Sequence, residues 1–344
     1  MLSELEIQKD FLKSPYIDTI YFGGGTPSIL SLKALENILF KISHHFSIRE
    51  DAEITLEANP DDIDLAYLKA LKSMGINRLS IGIQSFDDQV LTWMNRSHNA
   101  GQAKQALSTA GRAGFDQVNA DLIYGIPNTG KNYWAKQLST LLGLKPAHIS
   151  AYALTVEPQT VLGKRVKEHS QSEAGEEQIA SDYELLCQMT HQAHYTHYEI
   201  SNFAQPGCEA RHNSNYWKAE SYLGIGPGAH SFRPGIRQWN IANNSLYIKK
   251  IQTEKIWFES ETLSKVQQLN EYLMTRLRTH YGIQAAFIAN TWGLAEKNRI
   301  MNLLKKWHRQ GLVQTNSSSW RLNEKAWLIS DRLIADLFTD EIQE

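Results

Sequence analysis

Cysteine is nearly absent from this chain: 344 residues carry two, Cys187 and Cys208. A disulfide framework is therefore not expected, and a reducing compartment, the cytoplasm, is. Long apolar runs are missing as well. None approaches the roughly 18–20 residues of a membrane span, so an integral membrane protein of the helical kind is not expected. Charge of one sign is missing too, since 35 Lys and Arg face 37 Asp and Glu for a net charge of −2. That balance gives no electrostatic ground for binding nucleic acid or an anionic membrane. Finally, Met1–Lys13 holds Glu4, Glu6 and Asp10, unlike the basic and apolar regions of a signal peptide.

What is present describes a globular chain, 42% hydrophobic and 21% charged, long enough for one large domain and a small one. Over the first three-fifths, strand-length apolar runs alternate with helix-period stretches. Strands are expected over Asp18–Gly23, Glu53–Ala58, Arg78–Ile83, Gln117–Ile123 and His148–Leu154. Helices are expected over Leu32–Phe46, Asp64–Met74, Asp87–Met94, Ala100–Ala113 and Tyr133–Leu144. Ser31, Asp62 and Asn99 are placed to cap helices, and Gly75 and Gly114 to end them. The alternation predicts an α/β fold with a parallel sheet, either a barrel or an open doubly wound sheet.

In such folds ligands bind at the carboxyl ends of the strands. Polar residues recur there. After the first strand comes Gly23-Gly24-Gly25-Thr26, where the backbone can turn sharply, approach a ligand and offer N–H groups to a carboxylate. A plain tight turn explains the same residues. Glu57–Pro60 follows the second strand and Gln84–Phe86 the third. Asp121 lies near the end of the fourth, and Tyr152, Thr155 and Glu157 near the end of the fifth. Each alone reads equally as a cap or a solvated loop. In succession they predict a site where Glu57, Gln84, Arg96 and Asp121 hold a ligand with hydroxyls, an amine and a carboxylate.

Seven segments then carry a family likeness: Tyr21–Ser28 (YFGGGTPS), Ile54–Pro60 (ITLEANP), Asn77–Phe86 (NRLSIGIQSF), Asp121–Pro127 (DLIYGIP), Tyr198–Phe203 (YEISNF), His212–Trp217 (HNSNYW) and Leu223–Phe232 (LGIGPGAHSF). In their order and spacing the chain resembles the radical S-adenosylmethionine proteins related to oxygen-independent coproporphyrinogen III oxidase. Within them it is most similar to the HemW-type heme chaperones. The resemblance implies an α/β fold, an incomplete radical-SAM (β/α)6-type partial TIM barrel lacking its first strand, with a C-terminal winged-helix-like α+β module. It implies a truncated barrel core over residues 1–165, a barrel extension with the HNxxYW heme motif over 166–245, and a helical winged-helix-like domain over 246–344. By the family pattern Gly24, Gly25 and Thr26 contact the methionyl part of S-adenosylmethionine, and Glu57 takes the nucleoside by accepting ribose hydroxyl bonds. Gln84, Arg96 and Asp121 line the substrate side, where oxidase relatives hold a second S-adenosylmethionine and Arg96 can pair with a carboxylate.

The likeness breaks at the metal. The family holds a [4Fe–4S] cluster on a Cys-x-x-x-Cys-x-x-Cys loop upstream of the glycine run, and the fourth iron binds S-adenosylmethionine. No cysteine precedes Gly23, so this chain is not expected to ligate that cluster. Met1–Leu12 reads as the later part of the family's first helix. A start placed too far downstream, a truncated gene, or a lineage that abandoned the cluster would each explain this, the first two being preferred. Ile17–Phe22 is then expected to be a bare sheet edge. Cys187, in a helical segment Asp182–His194, reads as a core residue, and Cys208 as a loop residue.

His212-Asn213-Ser214-Asn215-Tyr216-Trp217 forms a second candidate site. Imidazole ligates heme iron, and the faces of Tyr and Trp pack on a porphyrin. The same residues also read as an ordinary packed histidine, and the resemblance tips the balance to heme. It implies His212, Asn213, Tyr216 and Trp217 as heme-binding residues, with His212 on the iron and Cys208 and His230 as lesser candidates. His191, His194 and His197 read as the end of a helix. Beyond Ser264, helices are expected over Val266–Arg278, Glu296–Gln310 and Glu324–Phe338. A hairpin of Gly311–Val313 and Trp320–Leu322 around an Asn316–Ser319 turn completes the module. Lys305, Lys306, His308 and Arg309 read as a solvated helix face, not a DNA contact. The expected function is a heme chaperone that delivers heme to an acceptor protein, at the membrane or away from it. A coproporphyrinogen III oxidase, which decarboxylates propionates oxidatively, and a degenerate inactive relative are the alternatives.

Overall fold

A computed structural model describes residues 1–340 except 169, 254, 317 and 318, and its largest element is a seven-stranded sheet. The strands are β1 (Tyr16–Phe22), β2 (Ser47–Ala58), β3 (Arg78–Gln84), β4 (Gln117–Tyr124), β5 (His148–Ala153), β6 (Thr196–Glu199) and β7 (Asn202–Ala204). They lie in the order β1-β2-β3-β4-β5-β7-β6. β2 to β5 run parallel, with Glu57 opposite Ser80, Ser80 opposite Asn119, and Asp121 opposite Ser150. β7 joins β5 antiparallel, and β6 joins β7 in the same sense.

The first eight helices are α1 (Leu2–Gln8), α2 (Leu32–His45), α3 (Leu65–Ser73), α4 (Asp88–Trp93), α5 (Ala100–Arg112), α6 (Tyr133–Leu144), α7 (Val161–Lys167) and α8 (Glu176–Gln192). α5 packs on β3 and β4, between α3 and α6. Ala103, Ala106 and Ala110 are buried on α5, and Leu79, Ile81, Ala120 and Leu122 are fully buried in the sheet. Asn99 caps α5 in a reciprocal box with Gln102. Gly75 and Gly114 close α3 and α5 in the left-handed region, at φ +94° and +85°. Asp62 does not cap α3. That role falls to Asp64, whose carboxylate accepts from Tyr67 N at 2.7 Å, while Asp62 accepts from Ser28 Oγ at 2.6 Å within the turn Pro60–Asp62. The three histidines do not share a helix end: α8 stops at Gln192, His194 turns left-handed at φ +63°, and His197 lies in β6 stacked on Phe203 at 3.9 Å.

Packing divides the chain into two units that do not follow chain order. One holds Ile20–Leu32 and Glu53–Ala210, the other Met1–Thr19, Lys33–Ala52 and Arg211–Glu344. The second unit contains α9 (Arg211–Trp217), β8 (His230–Arg233), β9 (Ile236–Asn240), α10 (Asn244–Gln252) and β10 (Phe258–Thr262), the three strands pairing antiparallel in the order β10-β9-β8. Glu4 anchors α1 here. Its fully buried carboxylate accepts from Gly226 N at 2.8 Å, Asn240 Nδ2 at 2.5 Å, Trp257 Nε1 at 3.2 Å and the Tyr247 hydroxyl. All four donors are neutral, and together they satisfy a charge that burial would otherwise make costly.

The C-terminal module follows as α11 (Lys265–Leu277), α12 (Ala285–Trp292), α13 (Leu294–Arg309), β11 (Val313–Thr315), β12 (Trp320–Leu322), α14 (Glu324–Trp327) and α15 (Ser330–Ala335). β11 and β12 form the expected hairpin, and Ile283 adds a bridge to Trp320. Residues 317 and 318 of the expected Asn316–Ser319 turn lie outside the described residues. α12 was not expected, and Glu324–Phe338 is two short helices instead of one. The break at Leu328-Ile329 leaves Trp327 buried, with its indole donating to Leu277 O at 2.9 Å, and still buries Leu333 and Ile334. Lys305, Lys306 and Arg309 are exposed on α13, as expected of a solvated face. Among the described residues no helix is long and apolar enough to cross a membrane.

Candidate functional site

Parallel strands covered on both faces read as unbroken apolar runs. β3, β4 and β5 instead alternate, as in Gln117-Val118-Asn119-Ala120-Asp121-Leu122, so one face of the sheet is apolar and the other polar. Asn119 is the hub of the polar face. Its Nδ2 donates to Ser80 Oγ at 2.8 Å and Asp121 Oδ1 at 2.7 Å; its Oδ1 accepts from Ser150 Oγ at 3.1 Å and from His148 Nδ1 at 2.7 Å. His148 Nε2 then accepts from the Tyr198 hydroxyl at 2.7 Å, and Tyr198 in turn accepts from Ala210 N at 3.3 Å. Further along, Arg78 Nη1 donates to Gln117 Oε1 at 3.1 Å and Cys208 O at 3.2 Å, with Glu53 at 3.8 Å. Burial holds His148 well below the usual imidazole range, which agrees with one ring nitrogen donating and the other accepting.

Enclosure against this face raises Asp121 to about 6; hydrogen bonds from Asn119, Ser150 and Ser80 oppose the rise, and the charge of Glu57 adds to it. Glu57 itself, at the end of β2, accepts from the Tyr21 hydroxyl at 2.7 Å and from Gly24 N at 3.1 Å. Tyr21 and Tyr152 are both pushed upward, first by burial and then by the neighbouring carboxylates Glu57 and Asp121. The glycine turn allows this. A Cβ on Gly23 would lie 2.4 Å from the Tyr21 ring and 2.9 Å from Glu57 Oε1, so only glycine fits. Gly24 and Gly25 both sit at φ +75° with open space where a side chain would project, and Thr26 follows half-buried. On the other side of the mouth, Gln84 ends β3 at φ +62°, and Arg96 Nη2 donates to Asn59 Oδ1 at 2.8 Å and Gly82 O at 3.4 Å. A Cβ on Gly82 would fall 2.9 Å from Gln84 Nε2 and 3.3 Å from Arg96 Nη2. Gly82 therefore leaves space that both side chains border.

The second candidate site is on α9. His212 Nδ1 lies 2.8 Å from Thr19 Oγ1, and His212 Nε2 lies 3.3 Å from the Tyr216 hydroxyl one turn on. Tyr216, 43% exposed, meets Tyr222 edge-on at 4.4 Å, and Tyr222 stacks on Phe232 at 6.1 Å. Asn213 and Trp217 are half-buried on the same helix. His230 is exposed in β8 and stacks on Trp239 at 6.5 Å. Cys208 is half-buried, its Sγ accepting from Gln117 Nε2 at 3.5 Å, and Cys187 is buried in α8 as a core residue.

Gly24 and Glu57 thus touch directly, Gln84 and Arg96 both border Gly82, and Asp121 shares its electrostatic surroundings with Glu57. His212 and Tyr216 form a pair. Sequence reasoning stopped at the strand ends and missed Ser80, Asn119, His148, Ser150 and Tyr198. The signal that could have found most of them is the period-two polar pattern inside strands that otherwise read as core. Thr19 carried no signal.

A family model described as the radical SAM superfamily matches residues 3–136, and one described as the HemN C-terminal domain matches residues 263–329. The chain is 31% identical over 324 residues to the heme chaperone HemW of Lactococcus lactis, covering 94% of this chain and 85% of that one. To HemW of Bacillus subtilis it is 32% identical over 322 residues, covering 93% and 85%. Among solved structures, coproporphyrinogen III oxidase HemN from Escherichia coli shares the fold with a TM-score of 0.83 at 21% identity, over 98% of this chain and 82% of that one. The seven-stranded sheet is in these terms a radical SAM partial barrel.

Proposed function

This chain belongs to the HemN/HemW family of radical SAM proteins, and we propose that it is a heme chaperone, binding heme and passing it to an acceptor protein. The observation that carries the proposal is α9, where His212 stands one turn from a half-exposed Tyr216 that opens a row of aromatic rings through Tyr222 to Phe232. Heme offers an iron to an imidazole and a flat face to aromatic side chains. His212 is assigned to the iron, with Asn213, Tyr216 and Trp217 as its companions.

The same reading assigns the sheet mouth to S-adenosylmethionine: Gly24, Gly25 and Thr26 to its methionyl part, Glu57 to its ribose, and Gln84, Arg96 and Asp121 to the substrate side. The residues suit that group. Gly24 and Gly25 leave an open cradle, and the Glu57 carboxylate, held by Tyr21 and Gly24, keeps lone pairs for ribose hydroxyls. When bound with a cluster, S-adenosylmethionine supplies the family's 5′-deoxyadenosyl radical. A [4Fe–4S] cluster held by three thiolates does not suit the donors within Met1–Glu344, which are a buried Cys187 and a Cys208 already accepting from Gln117. The proposed function therefore runs through heme binding.

The test is a hemin titration of the purified chain. A shifted Soret band that weakens in His212→Ala is expected. An unshifted spectrum with the unaltered chain overturns the proposal.

A further inference from the structure

His212 is held from two sides. Thr19 Oγ1 is 2.8 Å from Nδ1, and the Tyr216 hydroxyl is 3.3 Å from Nε2 with the two rings edge-on, 5.0 Å between centroids and 82° between planes. A neutral imidazole has one N–H, so one nitrogen donates and the other accepts. Which does which follows from the two hydroxyls. A phenol is the stronger acid and the better donor, whereas an aliphatic alcohol oxygen is the better acceptor. Each group takes its stronger role when the ring proton sits on Nδ1 and is given to Thr19, leaving the Nε2 lone pair toward Tyr216. Thr19 suits this task, because a β-branched side chain in a strand has little freedom at χ1.

We propose that Thr19 is a positioning residue for heme: it fixes His212 in the Nδ1–H form and presents Nε2 to the iron, and Tyr216 is the hydroxyl that the iron displaces. This rests on the heme-chaperone reading above. The bond given up is the longer of the two, and the bond retained is the one that orients the ring and raises its basicity. Loss of such an outer partner typically costs about 10–100-fold in metal affinity.

Hemin titrations followed by the Soret band test it on the unaltered chain, Thr19→Val, Thr19→Ser, Tyr216→Phe and His212→Ala, each with its melting temperature. Thr19→Val, which keeps the shape and removes the acceptor, is expected to weaken hemin binding about 10-fold or more and to lower the iron–histidine stretching frequency of the reduced complex. Thr19→Ser should restore both, and Tyr216→Phe should tighten binding by removing the competing hydroxyl. If Thr19→Val does not fold, Thr19→Ala carries the same comparison. Unchanged affinity and frequency in the Thr19 variants, with binding still lost in His212→Ala, overturn this inference and leave the chaperone reading standing. Binding unaffected by His212→Ala overturns that reading as well. Weaker binding in Tyr216→Phe refutes the displaced-hydroxyl part.

Discussion

Asp121 is where one side chain's surroundings say most about the site. Its carboxyl rises from an ordinary 3.8 to about 6, mainly because it faces into an enclosed polar face and only secondarily because Glu57 shares the space. A carboxyl raised in the folded state holds its proton more tightly there than in the unfolded chain. Its contribution therefore favours folding below about pH 4 and is lost as the pH climbs through 6. Asp121→Asn removes that dependence. Urea unfolding at pH 4 and pH 7 should show the variant gaining on the parent by up to about 3 kcal/mol across the interval. An equal difference at both pH values would mean that the carboxyl is not so enclosed. Asp121 itself was legible in the sequence, since it follows the strand pattern and sits in a recognisable segment. Asn119 was not, because an amide inside a strand is commonly a weak strand residue, and only its four partners show it to be a hub.

At the scale of elements, five strands and five helices of the first part lie where apolar periodicity and caps put them, to within a few residues except where β2 begins earlier, at Ser47. Periodicity is a local signal, and these elements are locally consistent. The misses have non-local causes. α12 is short, and the C-terminal helix is split because Trp327 and Leu333 are both buried in the same module. α1 shows the same limit. Glu4 read as a charge against a signal peptide, yet it is the buried anchor of its helix. Glu4→Ala would strand four donors, at Gly226, Asn240, Tyr247 and Trp257. A loss of about 3 kcal/mol is expected in urea unfolding, mostly from those unsatisfied groups. A loss under about 1 kcal/mol would mean that water reaches them and that α1 is not anchored as described.

For the whole molecule, family likeness carried what periodicity could not: that this α/β pattern closes into a radical SAM partial barrel and ends in a HemN-type module. Neither could foretell a packing in which Met1–Thr19 belongs with Arg211–Glu344. The expected bare edge at Ile17–Phe22 is only half met. β1 does end the strand order, but His212 bonds to it at Thr19. The metal question belongs at this scale too, because it turns on the full donor set. Anaerobic treatment of the chain Met1–Glu344 with iron, sulfide and reductant is expected to leave no [4Fe–4S] absorbance or paramagnetic signal. A stable cluster of one per chain would show that Cys187 and Cys208 are supplemented by ligands of another kind.

The Asn119 amide also has a direction. Its oxygen faces His148 and Ser150 and its nitrogen faces Asp121 and Ser80, so turning it end for end would set its oxygen against the Asp121 carboxylate. Fixed this way, the amide is a built-in spectator of the site's charge. Each change at Asp121, by titration or by a ligand hydroxyl, polarises the Asn119 side chain and through it the ring of His148. Nitrogen-15 spectra of those two groups can then follow the mouth of the sheet as it fills, with no label placed in the mouth itself.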